Sequence, residues 1–148
     1  MFGRARMFLR SVTTAELSDD LKKHIDDTKV FATAATIDAD GRPHLTVVWI
    51  ERDGEDILFS TTRPRKQGRN ILRDPRVTIL ILPPDNPYVY AEILGTATVT
   101  DDPKRDLPNR LARKYVGTDY ADLNPEAPDD GPDRIIVRVT PQKVVSRI

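Results

Sequence analysis

The stretch that decides the fold runs from Asp56 to Leu82, DILFSTTRPRKQGRNILRDPRVTILIL. It reads as strand, helix, strand. DILFSTT has the composition of a strand. Ile71 and Leu72 anchor a short helix, Pro64 suits its first turn, and Asp74-Pro75 is a stop signal. RVTILIL is apolar on nearly every residue, as in a strand buried on both faces. The helix start is anomalous. Arg63, Arg65 and Lys66 crowd an end where the helix dipole is already positive. Arg69 and Arg73 extend the row at fourth-residue spacing from Arg65, where like charges repel by roughly 0.2–0.5 kcal/mol per pair. An anion seated there would turn that repulsion into attraction.

Working outward from this stretch, short strands and tight turns dominate. KVFATAATI is a strand, DADGRP a Gly-containing hairpin turn, HLTVVWIE the next strand and RDGE another turn. Downstream, PPDNP is a loop and YVYAEILGTATVT a long strand, with Gly95 marking a bulge or bend. DDPKRDLPNRLARKYVG is a helix ended by Gly117, with Pro108 in its first turn. Residues 118–133 are acidic and proline-rich and read as an exposed loop. RIIVRVTPQKVVSRI closes the chain with one or two strands. Near the start, Thr13 or Thr14 caps a helix that spaces Leu17, Leu21 and Ile25 at four. About six strands and three helices, few of them in βαβ order, predict an antiparallel barrel with flanking helices. Residues 1–12 read as a basic arm and 13–148 as a single barrel domain.

Composition narrows the function. The 148 residues are 39% hydrophobic and 31% charged with zero formal net charge. That is the balance of a globular protein not built to coat nucleic acid or an anionic membrane. There is no cysteine, which removes disulfides, thiol nucleophiles and Cys-based metal sites. No apolar run approaches the ~18 residues of a membrane span, and the start MFGRARMFLRSV is too short in apolar residues for a secretory signal. A cytoplasmic enzyme or binding protein is the expectation. Two histidines, His24 and His44, are too few for a zinc site, and His24 reads as solvated. There is no nucleophile elbow, Walker loop or dinucleotide glycine fingerprint. Asp19-Asp20 and Asp129-Asp130 read as solvated pairs. No catalytic residue can be named, and a chain without its own acid, base, nucleophile or metal borrows chemistry from a cofactor.

The basic helix start supplies a place for one. Its unpaired N–H groups and dipole form an anion seat. The hydroxyls of Ser60, Thr61 and Thr62 end the preceding strand, and Arg65 and Lys66 complete a phosphate cradle whose charge-assisted hydrogen bonds contribute roughly 1.5–3 kcal/mol each. Gly68, which costs ~1 kcal/mol in mid-helix, implies close approach by something. The plain alternative is a solvated basic helix.

TIDADGRPHLTVVW, then LFSTT, then RPRKQGRNILRDPRVTILI, then EILGTATVTDD together resemble the pyridoxamine-phosphate-oxidase-like split-barrel family. Within it they are similar to the branch that binds the deazaflavin coenzyme F420. The resemblance spans about Phe31 to Thr140. It implies a mainly β (α+β) fold, a six-stranded antiparallel split β-barrel with flanking helices of the FMN-binding type. It also implies a homodimer with the cofactor at the interface. Ser60, Thr61, Arg65, Lys66 and Gln67 would contact the cofactor phosphate, and Thr46, Val47 and Val48 would run beside its ring system. Trp49 and Tyr88, with Tyr90, are candidate walls of a substrate pocket, and Arg63, Arg69 or the N-terminal arginines candidates for an anionic cofactor tail. Two departures stand out. The place of the family's phosphate lysine falls on Gln67, and Lys66, one residue earlier, leaves the helix about 100° away. The C-terminal PQKVVSRI lacks the histidine of a pyridoxamine phosphate oxidase tail, which argues against pyridoxal phosphate synthesis. The expected function is hydride transfer from reduced F420 to an unsaturated small molecule. An FMN-binding oxidoreductase of the same fold and a non-catalytic cofactor-sequestering protein are the alternatives.

Overall fold

The computed structural model describes residues 15–148. The expected basic arm and the Thr13 or Thr14 cap lie outside them. Seven strands form one antiparallel sheet: β1 (Phe31–Ile37), β2 (Pro43–Trp49), β3 (Glu51–Asp53), β4 (Asp56–Thr62), β5 (Arg76–Ile81), β6 (Ala91–Asp101) and β7 (Arg134–Ser146). Their order is β2-β1-β5-β6-β7-β4-β3. The two edge strands, β2 and β3, are joined in sequence by the single residue Ile50. Strands adjacent in the chain thus stand at opposite ends of the sheet. The sheet must curl until its edges meet, which makes it a split barrel.

The seventh strand corrects the count of six. Glu51, read from sequence as the end of the second strand, belongs to β3. Trp49 pairs with Phe31 on β1, whereas Glu51 pairs with Leu58 on β4. Between them Ile50 is fully buried, and its N–H donates to the Tyr115 hydroxyl at 3.2 Å. The chain changes sheet neighbour there because a side chain far along the sequence takes a backbone group that a strand partner would otherwise take. At Gly95 the expected irregularity is present: the β6–β7 register shifts between Leu94 and Gly95.

Inside the curl, Ile57, Phe59, Ile79, Ile81, Ile93 and Val137 are fully buried, each stabilising the fold by roughly 1.5–3 kcal/mol through burial. Helix α1 (Asp19–Asp27) adds Leu21 and Ile25 to this cluster, and Leu17 precedes it. The helix starts later than Thr13 or Thr14 implied. Ser18 is its cap, accepting from the Leu21 N–H at 3.1 Å, and Asp19 and Asp20 fill the first turn. Serine followed by two acids is the stronger start signal. β5 is not buried on both faces: Val77, Ile79 and Ile81 enter the core, while Thr78 and Leu80 are half-exposed.

After β5 the remaining helices pack outside the barrel. Helix α3 (Asp106–Val116) has Pro108 in its first turn and Gly117 just past its end, as expected. Its first N–H groups are taken by buried Asp102, whose carboxylate accepts from Asp106 and Leu107 at 3.0 Å each. The segment read as a featureless loop holds a short helix, α4 (Tyr120–Leu123), and a 3-10 turn at Gly131–Asp133. Among the described residues no helix is long and apolar enough to cross a membrane.

Candidate functional site

The deciding stretch folds as strand β4, a turn at Arg63-Pro64-Arg65, helix α2 (Lys66–Arg73) and strand β5. Pro64 precedes the cap residue Arg65 rather than sitting in the first turn. Arg65 contributes no side-chain cap and the first turn holds no acid, so the first N–H groups of this helix have no side-chain acceptor from the cap or the first turn. The helix stops at Asp74, whose carboxyl the Arg76 guanidinium and N–H hold down to about 2.

The other cations of the stretch are satisfied internally. Arg63 pairs with Asp101 at 2.6 Å, Arg69 donates to the Pro64 carbonyl, and Arg73 donates to the carbonyl of Ile37 at 2.6 Å. Lys66 pairs with Asp38 at 3.1 Å. Among the described residues, no carboxylate lies within ion-pair distance of Arg65. The repulsion expected along Arg65, Arg69 and Arg73 is thus relieved at the second and third positions by backbone carbonyls, and the cap position keeps its charge for the solvent or a ligand. Gly68 is explained by the protein's own backbone: a Cβ there would lie 2.1 Å from the Thr62 carbonyl oxygen. Helix and strand approach that closely only over glycine.

Arg65, Lys66 and Gln67 line a cavity of about 370 Å³ with Thr46, Val47 and Val48 of β2 and Ser60 of β4. That volume falls in the ~300–1,000 Å³ range of small-molecule sites. Trp49 forms part of the same wall and stacks on Tyr115 at 5.2 Å with 12° between the rings. Gln67 is buried and its side-chain amide donates to the Thr46 hydroxyl at 2.5 Å, tying the helix to β2. The structure therefore gathers seven of the nine expected cofactor residues. Thr61 and Thr62 are not among the lining residues. Strand alternation turns Thr61 into the core, where its hydroxyl is buried without a partner, and Thr62 is covered where Gly68 packs on it. Tyr88 does not reach the cavity either; it is 82% exposed on the loop before β6. Tyr90 is also absent from the lining.

Five lining residues were not anticipated: His44, Pro108, Leu111, Tyr120 and Arg134. Arg134 opens β7 and is 2% exposed. Its guanidinium donates to the Asp130 carboxylate, to the Ser60 hydroxyl at 3.3 Å and to the Tyr120 hydroxyl at 3.2 Å, and lies 5.1 Å over the Tyr120 ring. A buried guanidinium needs such a partner set, and Asp130 supplies the counter-charge. A charged residue leading an apolar strand, just after an acidic run, was the available signal. His24, read as solvated, instead has a buried Nε2 with no partner, away from this cavity. Among the described residues the lining carries the cations Arg65, Lys66 and Arg134 and no carboxylate. Flat apolar walls from Trp49, Val47, Val48 and Leu111 face that charge. The arrangement suits a planar aromatic molecule bearing an anionic group.

The family model for pyridoxamine 5'-phosphate oxidase matches residues 17–147. The chain belongs to this family. Among solved structures of similar fold is an F420 reductase, 30% identical, with a TM-score of 0.72, the match covering 83% of this chain and 94% of that one. A conserved hypothetical protein of Mycobacterium tuberculosis is 23% identical with a TM-score of 0.68, covering 89% of this chain and 84% of that one. General stress protein 26 of Bacillus anthracis is 19% identical with a TM-score of 0.57, covering 82% and 87%. These last two share the fold. As a member of this family, the chain has a split barrel with a cationic cavity beside helix α2.

Proposed function

We propose that this protein is a cytoplasmic oxidoreductase that uses reduced coenzyme F420 as hydride donor to an unsaturated small molecule, and that it works as a homodimer. The observation that carries the reading is the joining of the α2 start, Ser60 and the β2 strand around one cavity that, among the described residues, is lined by cations and no carboxylate. The similarity to an F420 reductase favours the deazaflavin. The residues present fit such a group. Arg65, the open N–H groups of α2 and the Ser60 hydroxyl form the donor set for a phosphate, with Lys66 beside them. Thr46, Val47 and Val48 offer an apolar strand for a ring to lie against, and Trp49 with Leu111 walls the remaining space. When bound, reduced F420 supplies the hydride. The chain's own task is to bind, orient and keep water from the reacting face. FMN is the second reading, because the same cradle accepts its phosphate.

The homodimer draws support from exposure. Phe31, Leu45 and Val47 are 58%, 63% and 70% exposed, and the β1–β2 register puts them on one face with Trp49. A second copy on that face would cover apolar surface and border the cavity at Val47 and Trp49. The test is titration with F420 and with FMN, followed through Trp49 fluorescence. Micromolar binding of F420 is expected, and changing Arg65 and Lys66 together to Ala should weaken it by a few kcal/mol with the melting temperature kept. Consumption of the bound reduced cofactor by an unsaturated acceptor separates an enzyme from a sequestering protein. Undiminished binding in the double variant would move the phosphate elsewhere.

A further inference from the structure

Lys66 borders two cavities. One is the cationic site above; the other is a shallower hollow of about 350 Å³ lined by Asp38, Asp40, Arg69, Asn70 and Arg73. In the structure its ammonium is turned to the second side, 3.1 Å from one oxygen of Asp38. The two partners differ in freedom. Lys66 is 52% exposed on a long side chain, whereas the Asp38 side chain is only 16% exposed. Its other oxygen accepts from the Asn70 side-chain amide at 2.8 Å. Asn70 is itself 2% exposed and held by Thr36 at 3.1 Å and by Arg73 at 2.8 Å. The Asp38 backbone is pinned too, its N–H donating to the Arg42 carbonyl at 2.8 Å across the hairpin turn. The carboxylate is therefore a fixed anion, and the lysine a mobile cation.

Resting on the cofactor site proposed above, we infer that Asp38 is a built-in counter-ion that parks Lys66, and that a bound phosphate must draw Lys66 away from it. Asp38 is a positioning residue that sets an affinity threshold. An anionic phosphate competes for the ammonium; a neutral ring compound does not. Arg65, with no such competitor among the described residues, serves as the permanent part of the cradle. The Asn70 amide and then Lys66 hold the Asp38 carboxyl below the usual carboxylate range, so the competitor is charged wherever the ligand phosphate is.

The test is the variant Asp38→Asn, which keeps the shape and the Asn70 contact while removing the charge, with FMN, F420 and riboflavin as probes. Exposed ion pairs are weak, so FMN and F420 should bind about threefold more tightly and riboflavin, which lacks the phosphate, should bind as in the unaltered protein. The gain should vanish when Lys66 is also changed to Gln. Equal or weaker phosphate-probe binding in Asp38→Asn, or an equal gain for riboflavin, overturns the inference and leaves the cofactor site standing. Failure of FMN and F420 to bind the unaltered protein overturns both. Should Asp38→Asn melt early, a crystal structure of the unaltered protein with FMN decides: Lys66 Nζ on the phosphate supports the inference, and Nζ still on Asp38 refutes it.

Discussion

At the scale of single residues, Gly68 shows what a sequence can and cannot disclose. A glycine inside a helix implies that something comes close, and something does: the Thr62 carbonyl oxygen, 2.1 Å from where a Cβ would stand. The approaching group was not legible, because β4 reaches the helix through the fold and not through a local pattern. Changing Gly68 to Ala forces backbone against backbone, which no rotamer can relieve. The variant should lose about 1–3 kcal/mol of stability in chemical denaturation. It should also bind cofactor more weakly, since Lys66 and Gln67 move with the same helix. A variant as stable as the parent would mean that α2 does not pack on β4 as described. Arg134 marks the opposite limit. Its charge was visible at the head of an apolar strand, but its 2% exposure depends on Asp130, Ser60 and Tyr120 arriving from three other places.

At the scale of elements, what is local was readable. Hairpin turns, the Asp74-Pro75 stop, the Gly117 end of α3 and the Gly95 irregularity each follow from residues within a few positions of the event. The break at Ile50 was not readable, because its cause, the Tyr115 hydroxyl, lies 65 residues away. That hydroxyl takes the Ile50 N–H and donates to the Val30 carbonyl, so one phenol ties the β2–β3 corner to the entry of β1. Its burial pushes the Tyr115 pKa up from the ordinary phenol value. Changing Tyr115 to Phe removes both bonds while preserving the ring that stacks on Trp49. Buried groups left without partners cost about 1–3 kcal/mol. The variant should therefore unfold at lower denaturant with Trp49 emission of the native state unchanged. An unaltered midpoint would show that the corner holds without the phenol.

At the scale of the whole molecule, antiparallel order and barrel class were legible from short strands and turn spacing. Closure was not, since it depends on β2 and β3 being neighbours in sequence and strangers in the sheet. Among the described residues the same topology leaves Phe31, Leu45 and Val47 exposed on the outer face of β1 and β2, and this is where the expected homodimer gains its physical content. Apolar side chains 58–70% exposed on one sheet face are unfavourable in water, at about 25 cal/mol per Å², and two copies placed face to face would remove that exposure. Leu45 is the cleanest probe. It is 63% exposed in the single chain and does not line the cavity, so a charge there leaves the barrel itself unaffected. Changing Leu45 to Glu should leave the monomer fold intact by circular dichroism. In a dimer it would bury two carboxylates without partners, a cost of several kcal/mol per ion, and sedimentation at micromolar concentration should shift from dimer to monomer. Because Val47 and Trp49 share that face and also wall the cavity, cofactor affinity should fall along with the association. A Leu45→Glu protein that stays dimeric would place the interface on another surface. One that becomes monomeric yet binds cofactor undiminished would show that a single chain builds the whole site.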